Sequence, residues 1–364
     1  MEERLIIKNF GPIKHIDIPI RKVNVLIGDQ GTGKSTVAKV LAIVKDLVFI
    51  INPNITTILN FYNLQHYVND VDTEIYFASE HYEFKFNSTE GLNIIYSNEF
   101  KNLFDLYKSE LNIANQNNSS AKQLVLNDIA VKMNGLVGGV WYIPTERANI
   151  NTHKNSGLNS QNYFQRFAEN YVTERNRVSS FEIPFLNLKY SYQNNRDVII
   201  TKTGTYNLSE SASGFQSIVP AMMFAQFFVN EGIGVGYYIL EEPELNLFPK
   251  TQRDLINYLI GKIYTLNDYM FFTTHSPYIL SSLNNLLYAF KIGQTNTYEV
   301  NTIIDKKYWV NPSDVSAYLL NDKGEAEDLM DLELQQIAVE RIDEISQTIN
   351  EEYDKLSDIK WAKK

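Results

Sequence analysis

The nine residues GDQGTGKST, from Gly28 to Thr36, constrain this chain more than any other segment. They follow an apolar run, Val23 to Ile27, which predicts a buried strand. From Lys34 onward, apolar residues recur at spacings of three and four, which predicts a helix with one apolar face. A Gly-x-x-x-x-Gly-Lys-Ser pattern at such a strand-to-helix turn is typical of a phosphate-binding loop.

The loop residues each suit the binding of a nucleoside triphosphate. Its glycines are Gly28, Gly31 and Gly33. They let successive backbone N–H groups converge on an anion at the positive end of the helix. Lys34 would neutralise the β- and γ-phosphate oxygens, the Ser35 hydroxyl would ligate Mg²⁺, and Thr36 would reach the α-phosphate. The pattern therefore predicts a nucleotide site that uses Mg²⁺.

Composition sets the limits within which this loop must work. With 364 residues, the chain suits one large domain with insertions or two ordinary domains. The absence of cysteine excludes disulfides and thiolate metal sites. We expect a cytoplasmic protein without membrane association, because the sequence has neither a signal peptide nor an apolar run of 18 residues. The net charge of −10 argues against a protein that coats nucleic acid, although it leaves room for a local basic groove.

Two further strand ends carry charged or polar groups. The apolar run from Gly236 to Leu240 ends in Glu241 and Glu242. Glu241 would hold the water shell of Mg²⁺, and Glu242 would orient and deprotonate the attacking water. A second apolar run, beginning at Tyr269, ends just before His275, which would donate a hydrogen bond to the terminal phosphate. Together with the loop, these residues predict nucleotide hydrolysis.

The remaining segments show weaker patterns. Strands joined by a turn are predicted for Leu5–Ile7 and Ile16–Ile20, a mixed insertion for residues 49–140, a strand for Val140–Pro144, and a buried helix for residues 217–230. Apolar residues spaced by three and four from Ala338 to Leu356 predict a long acidic helix, which packs on its own chain or on a partner. Residues 147–202 are locally basic, which indicates either a mixed solvated face or a surface for a polyanion.

The order of these motifs resembles the ABC-type ATPase heads of the SMC/RecF and OLD-related group of AAA family proteins, which occur in DNA repair and bacterial anti-phage defence. The resemblance is carried by "IIKNFGPIKHIDIPI", the phosphate loop, "LEEPELNLFP" and "TTHSP", and it covers residues 1–48 and 205–290. It implies an α/β P-loop NTPase fold, with a mixed central sheet, a helical lobe and an insertion.

The same resemblance implies a division of the chain and a second half of the site. The core would comprise residues 1–48 and 205–300, the insertion and helical lobe residues 49–204, and a C-terminal strand and acidic helix region residues 301–364. Residues 208–216 resemble the signature that caps the γ-phosphate bound to the opposite subunit, with Ser213 and Gly214 contacting nucleotide. Ala212 stands where a serine is usual, so that either Ser213 or Ser211 would supply the hydroxyl.

The implied protein binds ATP and Mg²⁺ as a homodimer or a higher oligomer, with Asn246 in the segment that contacts the partner. Arg147, at a Pro-x-Glu-Arg strand end, could contact nucleotide, nucleic acid or neither. A sensor or regulatory subunit of an anti-phage complex is the favoured function, acting on a separately encoded effector such as a nuclease. The sequence shows neither long heptads nor room after Phe290 for a nuclease domain. A DNA repair ATPase that binds DNA is the alternative, and a transporter subunit is disfavoured.

Overall fold

The computed structural model describes residues 2–68, 72–117, 120–150, 162–231, 235–266, 268–338 and 351–357. The helices are α1 (Lys34–Lys45), α2 (Leu47–Ile51), α3 (Ile55–Phe61), α4 (Asn98–Asn117), α5 (Ser120–Val137), α6 (Tyr163–Arg177), α7 (Ser213–Glu231), α8 (Pro249–Ile263), α9 (Pro277–Gly293) and α10 (Thr297–Ile303). The strands are β1 (Glu3–Phe10), β2 (Ile13–Ile20), β3 (Val23–Gly28), β4 (Glu74–Ala78), β5 (Tyr82–Asn87), β6 (Gly91–Tyr96), β7 (Gly139–Ile143), β8 (Ser180–Ile183), β9 (Leu188–Gln193), β10 (Arg196–Thr201), β11 (Gly204–Asn207), β12 (Gly236–Glu241), β13 (Tyr269–Thr274), β14 (Val315–Leu320), β15 (Ala326–Asp328), β16 (Met330–Asp331) and β17 (Gln336–Ile337).

A six-stranded mixed sheet forms the centre of the molecule, in the order β15-β14-β3-β13-β12-β7. The five strands from β14 to β7 run parallel, and β15 pairs antiparallel with β14 at the edge. Every residue of β3 and β12 is buried, as expected for parallel strands covered on both faces. The predicted α/β class with a mixed central sheet is confirmed.

Two hydrophobic cores lie on opposite faces of this sheet. Because side chains alternate along a strand, Val25 of β3 belongs to one core and Leu26 to the other. The first core includes buried residues of α7, α8 and α9 and of the four-stranded sheet β11-β10-β9-β8. The second includes the apolar face of α1 and the five-stranded antiparallel sheet β2-β1-β4-β5-β6. The central sheet is therefore the middle layer of the fold.

All three predicted segments contribute to these sheets. From residues 49–204, β4 pairs with β1 and β7 forms an edge of the central sheet. From residues 301–364, β14 pairs directly with the phosphate-loop strand β3. The chain thus returns to its N-terminal strands twice.

Most predicted elements are confirmed, with shifts at their ends. The N-terminal strands β1 and β2 form an antiparallel pair, and the predicted strand at Val140–Pro144 is β7. The buried helix begins at Ser213, four residues before its predicted start, and accommodates Pro220. The predicted acidic helix lies mostly outside the described residues, although residues 351–357 are helical. No helix of the described ranges is long and apolar enough to cross a membrane.

The strand order decides where the polar strand ends meet. β13 lies between β3 and β12, and the three strands run in the same direction. Their carboxyl ends therefore share one edge of the sheet, where the phosphate loop, His275 and the two glutamates follow. Open α/β sheets bind ligands in crevices outside the carboxyl ends of their strands.

Candidate active site

The phosphate loop is shaped by two glycines that no other residue could replace without movement. A Cβ at Gly28 would lie 2.3 Å from the Leu320 carbonyl oxygen of the neighbouring strand, and Gly33 has φ of +103°. Gly31 stands at φ +84° between them. Gly33 is also the residue before α1, and among the described residues no side chain caps the first N–H groups of that helix. The loop therefore presents uncapped backbone donors, which suits an anion.

Lys34 lies inside this loop and not in solvent. Its side chain is buried, and Nζ donates to the carbonyl oxygens of Gly28 and Asp29, both at 2.8 Å. Nζ is also 3.4 Å from Nδ1 of His275. Burial lowers the pKa of Lys34, while the negative charges of Glu242 and Glu244 raise it. The ammonium is thus held where a phosphate at the loop would meet it.

Glu241 is buried at the end of β12 and faces the first turn of α1. Its Oε1 accepts a hydrogen bond of 2.6 Å from the Tyr142 hydroxyl, on the adjacent strand β7. Burial raises the pKa of Glu241, and hydrogen bonds from Tyr142 and Ser35 lower it. Ser35 and Glu241 therefore lie together, and their hydroxyl and carboxylate oxygens are the hard ligands that Mg²⁺ prefers. Thr36 is buried in the same turn.

Glu242 and His275 meet above the ends of their strands. His275 Nε2 is 3.5 Å from Oε1 of Glu242, and both side chains are about one-third exposed. The Glu242 backbone is left-handed, with φ of +43°, and its N–H donates to the Thr273 carbonyl at 2.8 Å. His275 thus contacts Lys34 through one ring nitrogen and Glu242 through the other. The structure brings these three predicted site residues together.

Glu244 is a residue that the sequence-based prediction missed. Its Oε1 accepts from the Thr274 hydroxyl at 2.8 Å and from the His275 backbone N–H at 2.6 Å. Burial raises the pKa of this carboxyl group, and these hydrogen bonds lower it. Glu244 therefore joins the turn after β12 to the end of β13 and fixes the position of His275. The third acid in "EEPE" was the only signal of this role in the sequence.

Arg147 is buried beneath the site, with 1% of its surface exposed. Its guanidinium donates to four backbone carbonyls, those of Pro144, Ser217, Glu241 and Glu242. The sequence left open whether Arg147 contacts nucleotide, nucleic acid or neither of them, and this geometry favours the last alternative. Arg147 serves the backbone that carries the two glutamates.

The signature segment forms the start of α7, on a separate part of the surface. The Ser211 hydroxyl donates to the Leu208 carbonyl at 2.7 Å, whereas Ser213 is exposed at the first residue of the helix. Gly214 packs on the loop after Glu242, since a Cβ there would lie 2.8 Å from the Asn246 carbonyl oxygen. Within the described ranges, no hydrogen bond joins this segment to the phosphate loop of the same chain.

Three of the basic residues within 147–202 are paired with acids of the same chain. Arg166 pairs with the buried Asp46, and Arg175 pairs with the buried Asp197 at 3.2 Å. Arg177 lies 3.6 Å from Glu174. These pairs favour a structural role for Arg166, Arg175 and Arg177.

A strand, a glycine loop and a helix that hold a buried lysine, with carboxylates and a histidine at adjacent strand ends, define a P-loop ATPase. The chain matches the sequence profile of the AAA ATPase domain family over residues 1–49 and 43–280. It belongs to this family, and it is an ATPase. A search of curated proteins found no match.

Several solved structures show a distant similarity. The SMC head domain from Thermotoga maritima is 14% identical, with 78% of this chain and 92% of that chain covered and a TM-score of 0.42. A Pyrococcus furiosus Smc head domain with an extended coiled coil, bound to the C-terminal domain of ScpA, is 8% identical, with 94% and 98% covered and a TM-score of 0.41. A third, an Smc head bound to the C-winged helix domain of ScpA, is 9% identical, with 91% and 98% covered and a TM-score of 0.44.

Proposed function

We propose that this ATPase is a dimeric switch in which ATP joins two copies of the chain and hydrolysis releases them. Each ATP would lie between the phosphate loop of one copy and the signature of the other. The output is then a change of assembly and not a new small molecule. The observation that carries the hydrolytic part of this proposal is the contact of His275 with both Lys34 and Glu242 at one sheet edge.

The roles of the gathered residues follow from their positions. Lys34 and the N–H groups of α1 would hold the phosphates, and Ser35 with Glu241 would hold Mg²⁺, whose charge offsets that of the phosphates. Glu242 would take the proton of the attacking water, because its carboxylate stands beyond the strand end and is partly exposed. His275 would donate to the γ-phosphate from the position it now takes beside Lys34.

The separation of the signature from the phosphate loop supports a second copy of the chain. Ser213 is exposed on α7, and its helix start packs on the loop that follows Glu242. Phe248, at the end of that loop, is 76% exposed, and Tyr278 near His275 is 52% exposed. Large exposed aromatic side chains beside a catalytic edge are typical anchors of a protein interface.

The substitution Glu242→Gln tests the switch. It keeps the size of the side chain and removes the base, so that turnover should fall by about 10²- to 10⁴-fold. Size-exclusion chromatography with light scattering should then show an ATP-dependent dimer that wild-type protein forms only transiently. Unchanged turnover would exclude Glu242 as the base, and an ATP-bound monomer would exclude the joining of two heads.

We infer further that the switch regulates a separately encoded effector in anti-phage defence. The pairing of Arg166, Arg175 and Arg177 with acids of the same chain supports a protein effector over DNA as the direct partner. Duplex DNA ends should therefore leave turnover unchanged. In cells that also carry the neighbouring genes, protection against phage should be lost when the Glu242 carboxylate is removed. Stimulation by DNA ends, with binding that weakens steeply with salt, would establish the DNA repair function instead.

A further inference from the structure

Arg147 connects three segments that meet beneath the catalytic edge. All its acceptors are backbone carbonyl oxygens. Nη1 donates to that of Pro144 at 3.0 Å and that of Glu241 at 2.5 Å, Nη2 to that of Glu242 at 2.6 Å, and Nε to that of Ser217 at 3.0 Å. Pro144 follows β7, the glutamates follow β12, and Ser217 lies in the first turns of α7. One side chain therefore joins the end of the edge strand, the backbone of the two glutamates and the signature helix.

The Glu242 backbone needs such support. A left-handed conformation is uncommon for a residue with a side chain, and it persists only where the surroundings impose it. At Glu242 the N–H is held by the Thr273 carbonyl and the C=O by Arg147. In this conformation the Glu242 carboxylate lies 3.5 Å from Nε2 of His275, so that the Arg147 contact acts on the backbone that carries the proposed base.

Arg147 also holds the signature helix, through the bond from Nε to the Ser217 carbonyl. The Ser217 hydroxyl lies 2.7 Å from the Leu245 carbonyl and 3.0 Å from the Gly214 carbonyl. Gly214 in turn packs against the Asn246 backbone. Through Ser217, the first turns of α7 are therefore tied to the loop that directly follows Glu242.

Arginine suits this position better than lysine. Its planar fork can reach several carbonyls at once, whereas lysine is a point donor on a flexible stem. Burial lowers the pKa of Arg147 to about 10, which still leaves the guanidinium charged at neutral pH. Tyr238 and the three glutamates near it raise that pKa and favour the charged form.

We propose that Arg147 is a positioning residue for hydrolysis: it fixes the Glu242 backbone relative to α7, so that the base and the signature move as one unit. This inference rests on the proposed function of Glu242. It predicts that Arg147 acts on turnover through Glu242. ATP binding should depend on the phosphate loop and be independent of Arg147.

The test compares Arg147→Lys with Arg175→Lys. Arg175 is a matched control, because it is also a buried arginine but pairs with Asp197. Arg147→Lys should lower kcat by about 10- to 100-fold and leave the affinity for a fluorescent ATP analogue within about twofold, whereas Arg175→Lys should change neither. Equal kcat in the two variants, or a parallel loss of ATP affinity in Arg147→Lys, would overturn the proposal.

The double variant Arg147→Lys, Glu242→Gln separates positioning from general damage. Once the base is absent, losing the residue that positions it should change the residual rate by less than about twofold. A further fall similar to that in the wild-type background would overturn the proposal. If Glu242→Gln alone keeps full turnover while Arg147→Lys does not, the assignment of the base fails. If only Glu242→Gln loses turnover, the role of Arg147 fails.

A second pair of variants decides the question if Arg147→Lys does not fold. Ser217→Ala removes the hydroxyl that ties α7 to Leu245, and Ser282→Ala removes another buried serine hydroxyl, which bonds the Tyr278 carbonyl within α9. Ser217→Ala should lower kcat several-fold at unchanged ATP affinity, and Ser282→Ala should not. The same kcat for both variants would contradict a unit formed by α7 and Glu242.

Discussion

The phosphate loop and the signature segment differ in how far the chain completes them by itself. Around the loop, Lys34, Glu242 and His275 come from three strand ends of one sheet and contact one another. In the signature segment, Ser213 is exposed at the start of α7, while Gly214 packs against the Asn246 backbone. The first region is thus assembled by folding, whereas the second is a surface that would meet a nucleotide only in the proposed dimer.

This difference has a physical origin in the fold. Parallel strands of one sheet bring their ends to a common edge, so that residues far apart in sequence meet without any partner. A helix start that packs on a neighbouring loop through Gly214 and Ser217 exposes its remaining side chains. The comparison predicts that substitutions in the two regions will lower activity in different ways.

The largest effect is expected for Lys34→Ala. It removes the buried cation that would neutralise the phosphates, and kcat/KM should fall by about 10³-fold, with loss of ATP binding in a fluorescence titration. Lys101→Ala, at an exposed lysine of α4, is the control and should bind ATP as wild type does. If Lys34→Ala kept its affinity for ATP, the phosphates would not bind at the phosphate loop.

A smaller effect, of a different kind, is expected for Ser213→Ala. Losing one hydrogen bond to a charged phosphate should lower kcat by about 10-fold, while ATP binding to the monomer stays unchanged. Mixing Ser213→Ala with Lys34→Ala provides the decisive assay, since a head-to-tail heterodimer contains one intact composite site. Turnover by the mixture should exceed the sum of the two variants. Simple additivity would place both groups in the site of one chain.

The smallest effect is expected for Tyr142→Phe, which sharpens the description of the loop side. The Tyr142 hydroxyl favours the ionised form of Glu241, whose pKa is raised by burial. Without this bond the pKa of Glu241 rises further, so that the acid limb of the pH–rate profile should move to higher pH. The apparent affinity for Mg²⁺ should weaken about threefold. A profile that does not move would exclude Tyr142 as a support of Glu241.

Part of this site could be predicted from local patterns, and part could not. The turn from Gly28 to Thr36 was predictable because its glycines, lysine and flanking strand and helix are neighbours in the chain. Glu241, Glu242 and His275 were predicted as site residues because they stand at the ends of two largely apolar runs. Tyr142 and Arg147 act through contacts with β12 and α7, and no sequence pattern indicates that β7 pairs with β12. Glu244 has a role only because Thr274 and His275 lie opposite it.

The sequence by itself determined the local chemistry: an anion-binding turn, two carboxylates at a strand end and a histidine after another strand. These depend on backbone conformation and on residue type over a few positions. Only the tertiary structure decided the strand order, which places β13 between β3 and β12 and so brings His275 between Lys34 and Glu242. It also decided that Arg147 is buried under the carboxylates, because burial and hydrogen-bond partners depend on segments that are distant in the chain.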